Sequence, residues 1–259
     1  KKCAEIGYEG VQWRVKKDTG DMTKPGFWSG NRAGLSAEEI IQRAGELKAR
    51  AAELKLHMPS LGTYLSPKEP EKIELAMKAA SAIGARHLRV GPGNYLPEQG
   101  TYPQLVAEAR KKYAEVAEMA GHYKVRALIE THMNQLGPSV TKAMNILRGL
   151  DPEKVGIMWD PGNQVIEGLE VYRMAIEEAG PYLGEVHVKN MRHEKGEIVN
   201  GQQTWKPAAC PLREGIVDWP KVIAVLKEFK YEGWLFMEDF STAVPLDKRL
   251  KENHDWLRE

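Results

Sequence analysis

The stretch ALIETH at residues 127–132 decides how this sequence is interpreted, because in it an apolar segment leads directly into polar and ionisable side chains. Small and apolar residues run into the carboxylate of Glu130, and the imidazole of His132 follows two positions later. A short, continuous apolar run is typical of a parallel strand that is covered on both faces. We therefore predict a buried strand whose carboxyl end carries functional side chains.

Three later stretches, 156–160, 184–189 and 234–239, also run from apolar residues into polar ones. Their polar side chains are Asp160, His187 and Glu238. Together with Glu130 they make an oxygen-rich ligand set with one nitrogen, which suits a divalent cation. We predict that the four side chains, each at the end of a strand, meet around one ion.

Predicted strands and helices alternate along all 259 residues, without a linker or a change in composition. This alternation predicts a parallel sheet with helices outside it, and the length suits one (β/α)8 barrel domain that spans residues 1–259. Seven strands are predicted, at 11–13, 54–58, 87–90, 126–132, 155–160, 183–190 and 233–240. A closed barrel needs eight, so we expect the first strand to lie upstream of Lys1. Residues 192–214 are predicted to form a long irregular loop.

The net charge limits the kinds of binding partner to expect, and the cysteine content limits the expected cellular compartment. The formal net charge is +1, which gives no indication of a nucleic-acid or membrane partner. Two cysteines, Cys3 and Cys210, cannot form a disulfide framework, so we expect a cytoplasmic protein, with a targeting segment upstream left open. A homo-oligomer also stays open.

Several motifs resemble the sugar phosphate isomerase/epimerase family, whose members share the xylose-isomerase-like TIM barrel. The motifs are LIETH at 128–132, WDPGN at 159–163, VHVKN at 186–190 and PLREGIVDW at 211–219. The resemblance implies one divalent metal ion at the carboxyl mouth of the barrel, held by Glu130, Asp160, His187 and Glu238. It implies Mn²⁺ first, with Mg²⁺, Co²⁺ and Zn²⁺ as alternatives, and a small carbohydrate substrate.

Four positions depart from the family pattern. Gln12 stands where Glu is usual, Arg213 where Gly is frequent, Asn163 where several epimerases have His, and Asn190 where Asp is commoner. The predicted metal ligands are all retained, so these departures bear on the identity of the substrate rather than on binding of the ion.

The expected chemistry follows from the ligand set. A divalent ion that polarises a ketone makes the adjacent C–H acidic, and a carboxylate can then remove that proton. Glu130 and Glu238 are predicted as this acid/base pair. Transfer between two faces gives epimerisation, and transfer along one face gives aldose–ketose isomerisation. We therefore predict a metal-dependent isomerase or epimerase of a keto-sugar, sugar phosphate or polyol.

Further side chains are expected to hold the substrate. His132 and Lys189 each lie two positions past a predicted ligand and so point to the same side of their strands. His57 is placed at the end of its strand, and His193 in the loop that follows the strand at 183–190. The predicted substrate-binding residues are His57, His132, Asn163, Lys189, His193 and Trp13.

Three alternatives stay open at this point. The same metal site could support a lyase or dehydratase that eliminates a group next to a ketone, as in cleavage of a keto-glycoside. A DNA-repair endonuclease on a related barrel would use three zinc ions and several more histidine ligands, and the seven histidines and the net charge of +1 argue against it. A sugar-binding barrel without catalysis is the third alternative.

Overall fold

The structure is a computed structural model, and it describes residues 1–17, 19–24, 29–31 and 33–259. The strands are β1 (Gly10–Arg14), β2 (His57–Gly62), β3 (His87–Arg89), β4 (Arg126–Glu130), β5 (Val155–Trp159), β6 (Leu183–Val188), β7 (Asn190–Val199), β8 (Gln202–Cys210) and β9 (Trp234–Met237). The helices are α1 (Lys2–Ile6), α2 (Ala37–Gln42), α3 (Ala44–Glu53), α4 (Pro70–Ile83), α5 (Tyr102–Tyr123), α6 (Val140–Leu147), α7 (Pro161–Glu167), α8 (Tyr172–Ala179), α9 (Trp219–Glu228) and α10 (Leu246–Arg258). Short 3-10 turns occur at Pro97–Gln99 and Gly180–Tyr182.

Over the described residues, seven strands form one sheet in the order β1-β2-β3-β4-β5-β6-β9, while β7 and β8 form a separate two-stranded sheet. The pairs β1–β2, β2–β3, β3–β4, β5–β6 and β6–β9 are parallel. The predicted alternation of parallel strands with helices is therefore confirmed. None of the described helices is both long enough and apolar enough to cross a membrane.

The chain divides into two compact units, residues 1–129 with 146–156 and residues 130–145 with 157–259. In the first unit, α4 begins with a proline in its first turn and ends at Gly84, whose φ of 79° suits a residue without a Cβ. Its buried face includes Ile73 and Met77, which are fully shielded from solvent. The prediction that residues 1–259 form a single domain stays a prediction.

The buried strand β5 leads directly into the side chain that begins the next helix. Every residue of β5 is buried, as the continuous apolar run predicted. Asp160 then caps the N-terminus of α7 by accepting a hydrogen bond from the backbone N–H of Asn163, and Pro161 occupies the first helical turn. Helix α7 was not among the predicted elements, although the Asp-Pro pair is a recognised signal for a helix start.

Two predicted boundaries are wrong. Strand β2 was expected at 54–58, with Pro59 stopping it, but it runs from His57 to Gly62. Its register with β1 is irregular between Gly10 and Gln12, opposite Pro59, and proline is tolerated at such bulges because it has no N–H to donate to the ladder. Ser36 and Glu39 predict a helix that begins with a capping box and runs to about Glu53. The capping box is present, but the helix breaks at Arg43 into α2 and α3.

The predicted loop 192–214 is mostly an antiparallel ribbon, which we call the β7–β8 ribbon. Its turn contains Asn200 and Gly201, both with positive φ, of 53° and 80°. An Asn-Gly pair is the strongest short-range hairpin signal, so the sequence contained the information that would have predicted this ribbon.

Candidate metal centre

Four side chains with potential ligand atoms meet at the carboxyl ends of strands in the second unit. Glu130 is the last residue of β4, Asp160 follows β5, His187 lies near the end of β6, and Glu238 follows β9. One ligand atom from each lies within 4.8 Å of every other. The predicted convergence of these four residues is therefore present in the structure.

The imidazole of His187 lies at the centre of the group. Its Nδ1 is 3.3 Å from Glu130 Oε1, 3.6 Å from Glu238 Oε2 and 3.9 Å from Asp160 Oδ2. The Glu130 and Asp160 side chains are almost completely buried, whereas the Glu238 side chain is 28% exposed. Glu238 is thus the carboxylate of the group that a molecule from solvent can reach.

The ammonium of Lys189 completes the cluster. Its Nζ donates a hydrogen bond of 2.6 Å to Glu238 Oε2 and lies 2.8 Å from Asp160 Oδ2. It also lies 5.3 Å from the centre of the Phe240 ring, a cation–π distance. The Lys189 side chain is only 7% exposed, so the carboxylates supply the charge that offsets its burial.

Burial and charge act in opposite directions on the ionisation of these groups. Burial raises the pKa of Asp160 to about 6, despite the nearby Lys189 ammonium. Burial opposes ionisation of Glu238 too, but there Lys189 and His187 dominate and lower its pKa to about 2. Burial disfavours protonated His187, yet the Glu130 and Glu238 carboxylates raise its pKa to about 10. The carboxylates of the cluster therefore favour a positively charged group at the position of His187.

The chemistry of this cluster fits a divalent ion. Neither ring nitrogen of His187 makes a hydrogen bond of good geometry among the described residues, although Nδ1 lies 3.3 Å from Glu130 Oε1. Buried polar atoms without such bonds are rare in proteins and are typical of ligand sites. If an ion took the place of the proton on His187, three carboxylates, one ammonium and a neutral imidazole would be balanced in charge by one divalent cation. These four side chains could therefore hold a metal ion in the set of oxygen and nitrogen ligands that Mn²⁺ or Mg²⁺ accepts.

Asn163 and Gly162 hold the surroundings of the site in place. The Asn163 side-chain amide donates to the carbonyl of Thr131 at 3.0 Å and lies 3.5 Å from Glu130 Oε1. A Cβ added to Gly162 would lie only 2.5 Å from Lys189 Cγ and 3.2 Å from Asp160 Oδ1. The absence of a side chain at position 162 therefore lets Lys189 approach the candidate ligand Asp160.

A carboxylate that the sequence analysis did not select holds the segment after Glu130. Glu170 accepts hydrogen bonds from the first backbone N–H groups of α6, at Val140 (2.8 Å) and Thr141 (3.0 Å). Gln164 donates to the same carboxylate at 2.8 Å and accepts from the Trp159 indole at 3.0 Å. This chain of bonds connects β5 to the start of α6. Only the tertiary structure brings these groups together, so no local pattern predicts it.

We expect Glu170→Gln to lower stability at neutral pH by about 1–2 kcal/mol, because a charged acceptor at a helix N-terminus is lost. Burial opposes ionisation, but hydrogen bonds from Thr141, Gln164 and Val140 lower the pKa of Glu170. A lowered folded-state pKa gives stability that is present above the unfolded value of about 4.3 and lost as pH falls through the folded value. Urea unfolding at pH 7 and pH 4 measures this.

The matched control for that experiment is Glu153→Gln, since the exposed Glu153 uses only its backbone N–H in its hydrogen bond to Asp151. The difference between wild type and Glu170→Gln should shrink toward low pH. A difference that stays constant with pH, or that the Glu153 variant reproduces, would contradict the role of the charge.

The remaining predicted substrate-binding residues lie in varied surroundings. His132 follows β4, is partly buried, and its Nδ1 is 3.0 Å from the carbonyl oxygen of Met133. His193 is exposed on the β7–β8 ribbon opposite Pro207, so its assignment to an irregular loop is wrong. For both residues, as for Asn163 and Lys189, a role in substrate binding stays a prediction.

His57 and Trp13 belong to the first unit. His57 is exposed and is the first residue of β2, paired with Gly10, so its placement at the end of its strand is wrong and the reason for selecting it is removed. Trp13 lies in β1 and donates its indole N–H to Met58 Sδ at 3.1 Å. Its role in substrate binding stays a prediction.

Comparison with known proteins decides the family. The model of the xylose isomerase-like TIM barrel family matches residues 1–259. The chain belongs to this family. The fold class predicted from the sequence is thereby confirmed, as is the resemblance on which the metal ligands were assigned.

A curated protein that is similar to part of the chain is a dehydratase. An inosose dehydratase from Bacillus anthracis (strain CDC 684 / NRRL 3495) is 24% identical over 162 residues, which cover 58% of this chain and 54% of that protein. The chain thus matches about half the length of this curated relative.

Two solved structures of similar fold are more distant in sequence. A 3-keto-D-glucoside 4-epimerase from E. coli in its apo form has a TM-score of 0.71 at 14% identity, covering 98% of this chain and 90% of that chain. A xylose isomerase-like TIM barrel protein from Mycobacterium smegmatis in complex with magnesium has a TM-score of 0.70 at 18% identity, covering 99% and 85%. These similarities establish the fold that the chain shares with them.

Proposed function

We propose that this protein is a metal-dependent isomerase or epimerase that moves a proton next to the carbonyl of a small keto-sugar or a related polyol ketone. The observation that carries the proposal is the meeting of Glu130, Asp160, His187 and Glu238 within 4.8 Å at the ends of their strands. The similarity to a 3-keto-D-glucoside 4-epimerase supports the same class of substrate.

A divalent ion bound by these residues would polarise the substrate carbonyl and acidify the neighbouring C–H. The protein must then supply a base that is ionised and can be reached. Glu238 meets both conditions, because its side chain is 28% exposed and its pKa is lowered to about 2. The almost fully buried Glu130 is the second carboxylate, and it can serve as the partner that returns a proton.

Lys189 is suited to hold negative charge during this transfer. Its ammonium lies within 2.8 Å of carboxylate oxygens from Asp160 and Glu238, so it is fixed before a substrate arrives. A preorganised cation in a buried site stabilises developing negative charge without reorganisation at the moment of reaction. The same ammonium keeps Glu238 in its ionised form before a substrate arrives.

A lyase that eliminates water next to a ketone is the second candidate, and the similarity to inosose dehydratase favours it. Elimination needs the same base and a proton donor for the leaving hydroxyl, and Lys189 beside Glu238 could be that donor. The nature of the product separates the two candidates.

The test is proton exchange in D₂O with D-fructose, scyllo-inosose and a 3-keto-D-glucoside as separate substrates, with the protein loaded with Mn²⁺. We expect deuterium to enter next to the carbonyl of at least one substrate, and NMR then identifies an epimer, an isomer or a dehydrated product. EDTA should stop the exchange and added Mn²⁺ should restore it. Absence of exchange in all three, with metal binding verified, would contradict the proposal.

A further inference from the structure

A second, buried carboxylate directly follows Glu238 in the chain. Strand β9 pairs with β6 up to Met237, which lies opposite Val188, so Glu238 stands one residue past the last paired position. The backbone N–H of Glu238 donates to the carbonyl of Val188 at 2.9 Å. The next residue is Asp239, whose side chain is only 3% exposed. Because the two residues share a planar peptide bond, the contacts of Asp239 also fix the backbone that carries the Glu238 side chain.

Both oxygens of the Asp239 carboxylate accept hydrogen bonds. Oδ1 accepts from the backbone N–H of Ser241 at 2.7 Å, and Oδ2 accepts from the side-chain amide of Asn253 at 2.7 Å. Arg249 Nε lies 3.9 Å from the same Oδ2, within ion-pair distance. We call Asp239, Ser241, Arg249 and Asn253 the Asp239 anchor. The anchor connects the segment that follows β9 to helix α10.

Helix α10 contributes polar side chains to this contact. Its two buried residues are Arg249 and Asn253, which are 6% and 8% exposed and lie four positions apart, on one side of the helix. A hydrogen bond between buried side chains adds only about 0.5–1.5 kcal/mol of net stability. It does select one arrangement, because its geometry is directional and an unmade bond is costly. The polar contact therefore fixes where Asp239 lies.

The anchored segment also borders Lys189. Phe240 lies between Asp239 and Ser241, and the centre of its ring is 5.3 Å from Lys189 Nζ. The same Nζ donates to Glu238 Oε2 at 2.6 Å. A shift of the segment would therefore displace groups on both sides of the bond between Lys189 and Glu238.

We propose that Asn253 is a positioning residue for the candidate metal ligand Glu238 and acts through Asp239. Its amide holds the Asp239 carboxylate, so that the Glu238 carboxylate is directed toward His187, whose Nδ1 lies 3.6 Å from Glu238 Oε2. Replacing groups that orient a metal ligand from outside the coordination sphere typically costs about 10- to 100-fold in metal affinity or activity. The inference rests on the metal binding assumed in the proposed function, and it can be measured without a substrate.

The experiment is calorimetric titration of metal-free protein with Mn²⁺, with the folding of each variant verified by its Tm. Asp239→Asn and Asn253→Asp should each weaken Mn²⁺ binding about tenfold. The first change leaves two amide groups facing each other, and the second leaves two carboxylates. The exchange variant that carries both substitutions has one donor and one acceptor again, so it should bind Mn²⁺ within about threefold of wild type.

An effect of net charge alone would give a different pattern. Asp239→Asn removes a negative charge near the ion and Asn253→Asp adds one, so charge alone would shift Mn²⁺ affinity in opposite directions. The proposal is overturned if the two single variants shift the affinity in opposite directions or leave it unchanged. It is also overturned if a folded exchange variant binds as weakly as the single variants do.

Asn253→Ala removes the same hydrogen bond without adding a charge, so it tests the proposal even if the exchange variant fails to fold. It should also weaken Mn²⁺ binding about tenfold. The matched control is Ser241→Ala, which should bind Mn²⁺ as wild type does. The buried Ser241 hydroxyl has no hydrogen-bond partner among the described residues, while the backbone N–H keeps its bond to Asp239. An equal loss of affinity in Ser241→Ala would overturn the proposal.

The Glu238→Gln variant tests whether Asn253 acts through Glu238. Adding Asn253→Ala to Glu238→Gln should weaken Mn²⁺ binding much less than tenfold, because coupled residues are not additive. An undiminished tenfold loss would contradict the proposed route. If wild type binds no Mn²⁺, the proposed function and this inference both fail, whereas Mn²⁺ binding that Asn253→Ala leaves unchanged overturns the inference alone.

Discussion

Glu238→Gln is expected to slow metal-dependent exchange of the substrate C–H proton by about 10²- to 10⁴-fold, the range typical for loss of a general base. The amide keeps the shape of the side chain but cannot accept the proton. The hydrogen bond with Lys189 also loses its charge, because Glu238 Oε2 is the acceptor at 2.6 Å. The rate should be measured in D₂O at saturating Mn²⁺, so that weaker metal binding does not obscure the catalytic effect.

Glu130→Gln should act first on the ion, since Glu130 is nearly fully buried and its Oε1 lies 3.3 Å from His187 Nδ1. We expect Mn²⁺ affinity to fall at least tenfold in a direct titration. Glu194→Gln is the control, because the side chain of Glu194 is 49% exposed on the β7–β8 ribbon. Wild-type exchange in Glu238→Gln, together with wild-type Mn²⁺ affinity in Glu130→Gln, would refute the assigned site.

Lys189→Gln should separate metal binding from catalysis. A divalent ion held by Asp160 and Glu238 must share those carboxylates with an ammonium that lies 2.8 and 2.6 Å from them. Two unit charges 4 Å apart interact by about 4 kcal/mol at an effective dielectric constant of 20, so removal of the ammonium should favour the ion. We expect Mn²⁺ to bind at least tenfold more tightly, while proton exchange falls by at least the same factor.

Thermal unfolding with and without Mn²⁺ provides a second readout for Lys189→Gln. The metal-free variant should be less stable than wild type, because buried carboxylates lose a partner, and the gain in Tm on adding Mn²⁺ should be larger. The exposed Lys195, replaced by Gln, controls for loss of one positive charge. A variant that is destabilised and gains nothing from Mn²⁺ would mean that Lys189 is a counter-ion in a site that holds no metal.

The four candidate ligands could be predicted from sequence because each follows an apolar run, and parallel strands bring their carboxyl ends to one edge. Asp160 was selected as the polar end of a strand, and its second role as the cap of α7 was missed. The contacts of Lys189 with Asp160 and Glu238 depend on Gly162, whose missing side chain leaves the space, and this cannot be derived from spacing.

The errors have local physical causes. Pro59 predicts a strand end just after His57, whereas a bulge in the β1–β2 pairing accommodates this proline inside β2. The polar, exposed strands of the β7–β8 ribbon lack the apolar pattern of buried strands, so their pattern predicts a loop. Asn200-Gly201 was the available signal, and turn chemistry would have been a better guide there than hydrophobicity.

The single residue between β6 and β7 determines where this protein tolerates changes in length. Lys189 alone separates the two strands, and the Asn190 side chain fixes the base of the β7–β8 ribbon through the carbonyls of Leu212 and Val217. Successive residues of an extended chain point to opposite sides, so one residue inserted beside Lys189 would turn its ammonium away from the carboxylates. Extra residues at the distant Asn200-Gly201 tip would lengthen the ribbon without altering that spacing, which makes the tip the suitable position for grafting a peptide tag or a new recognition loop.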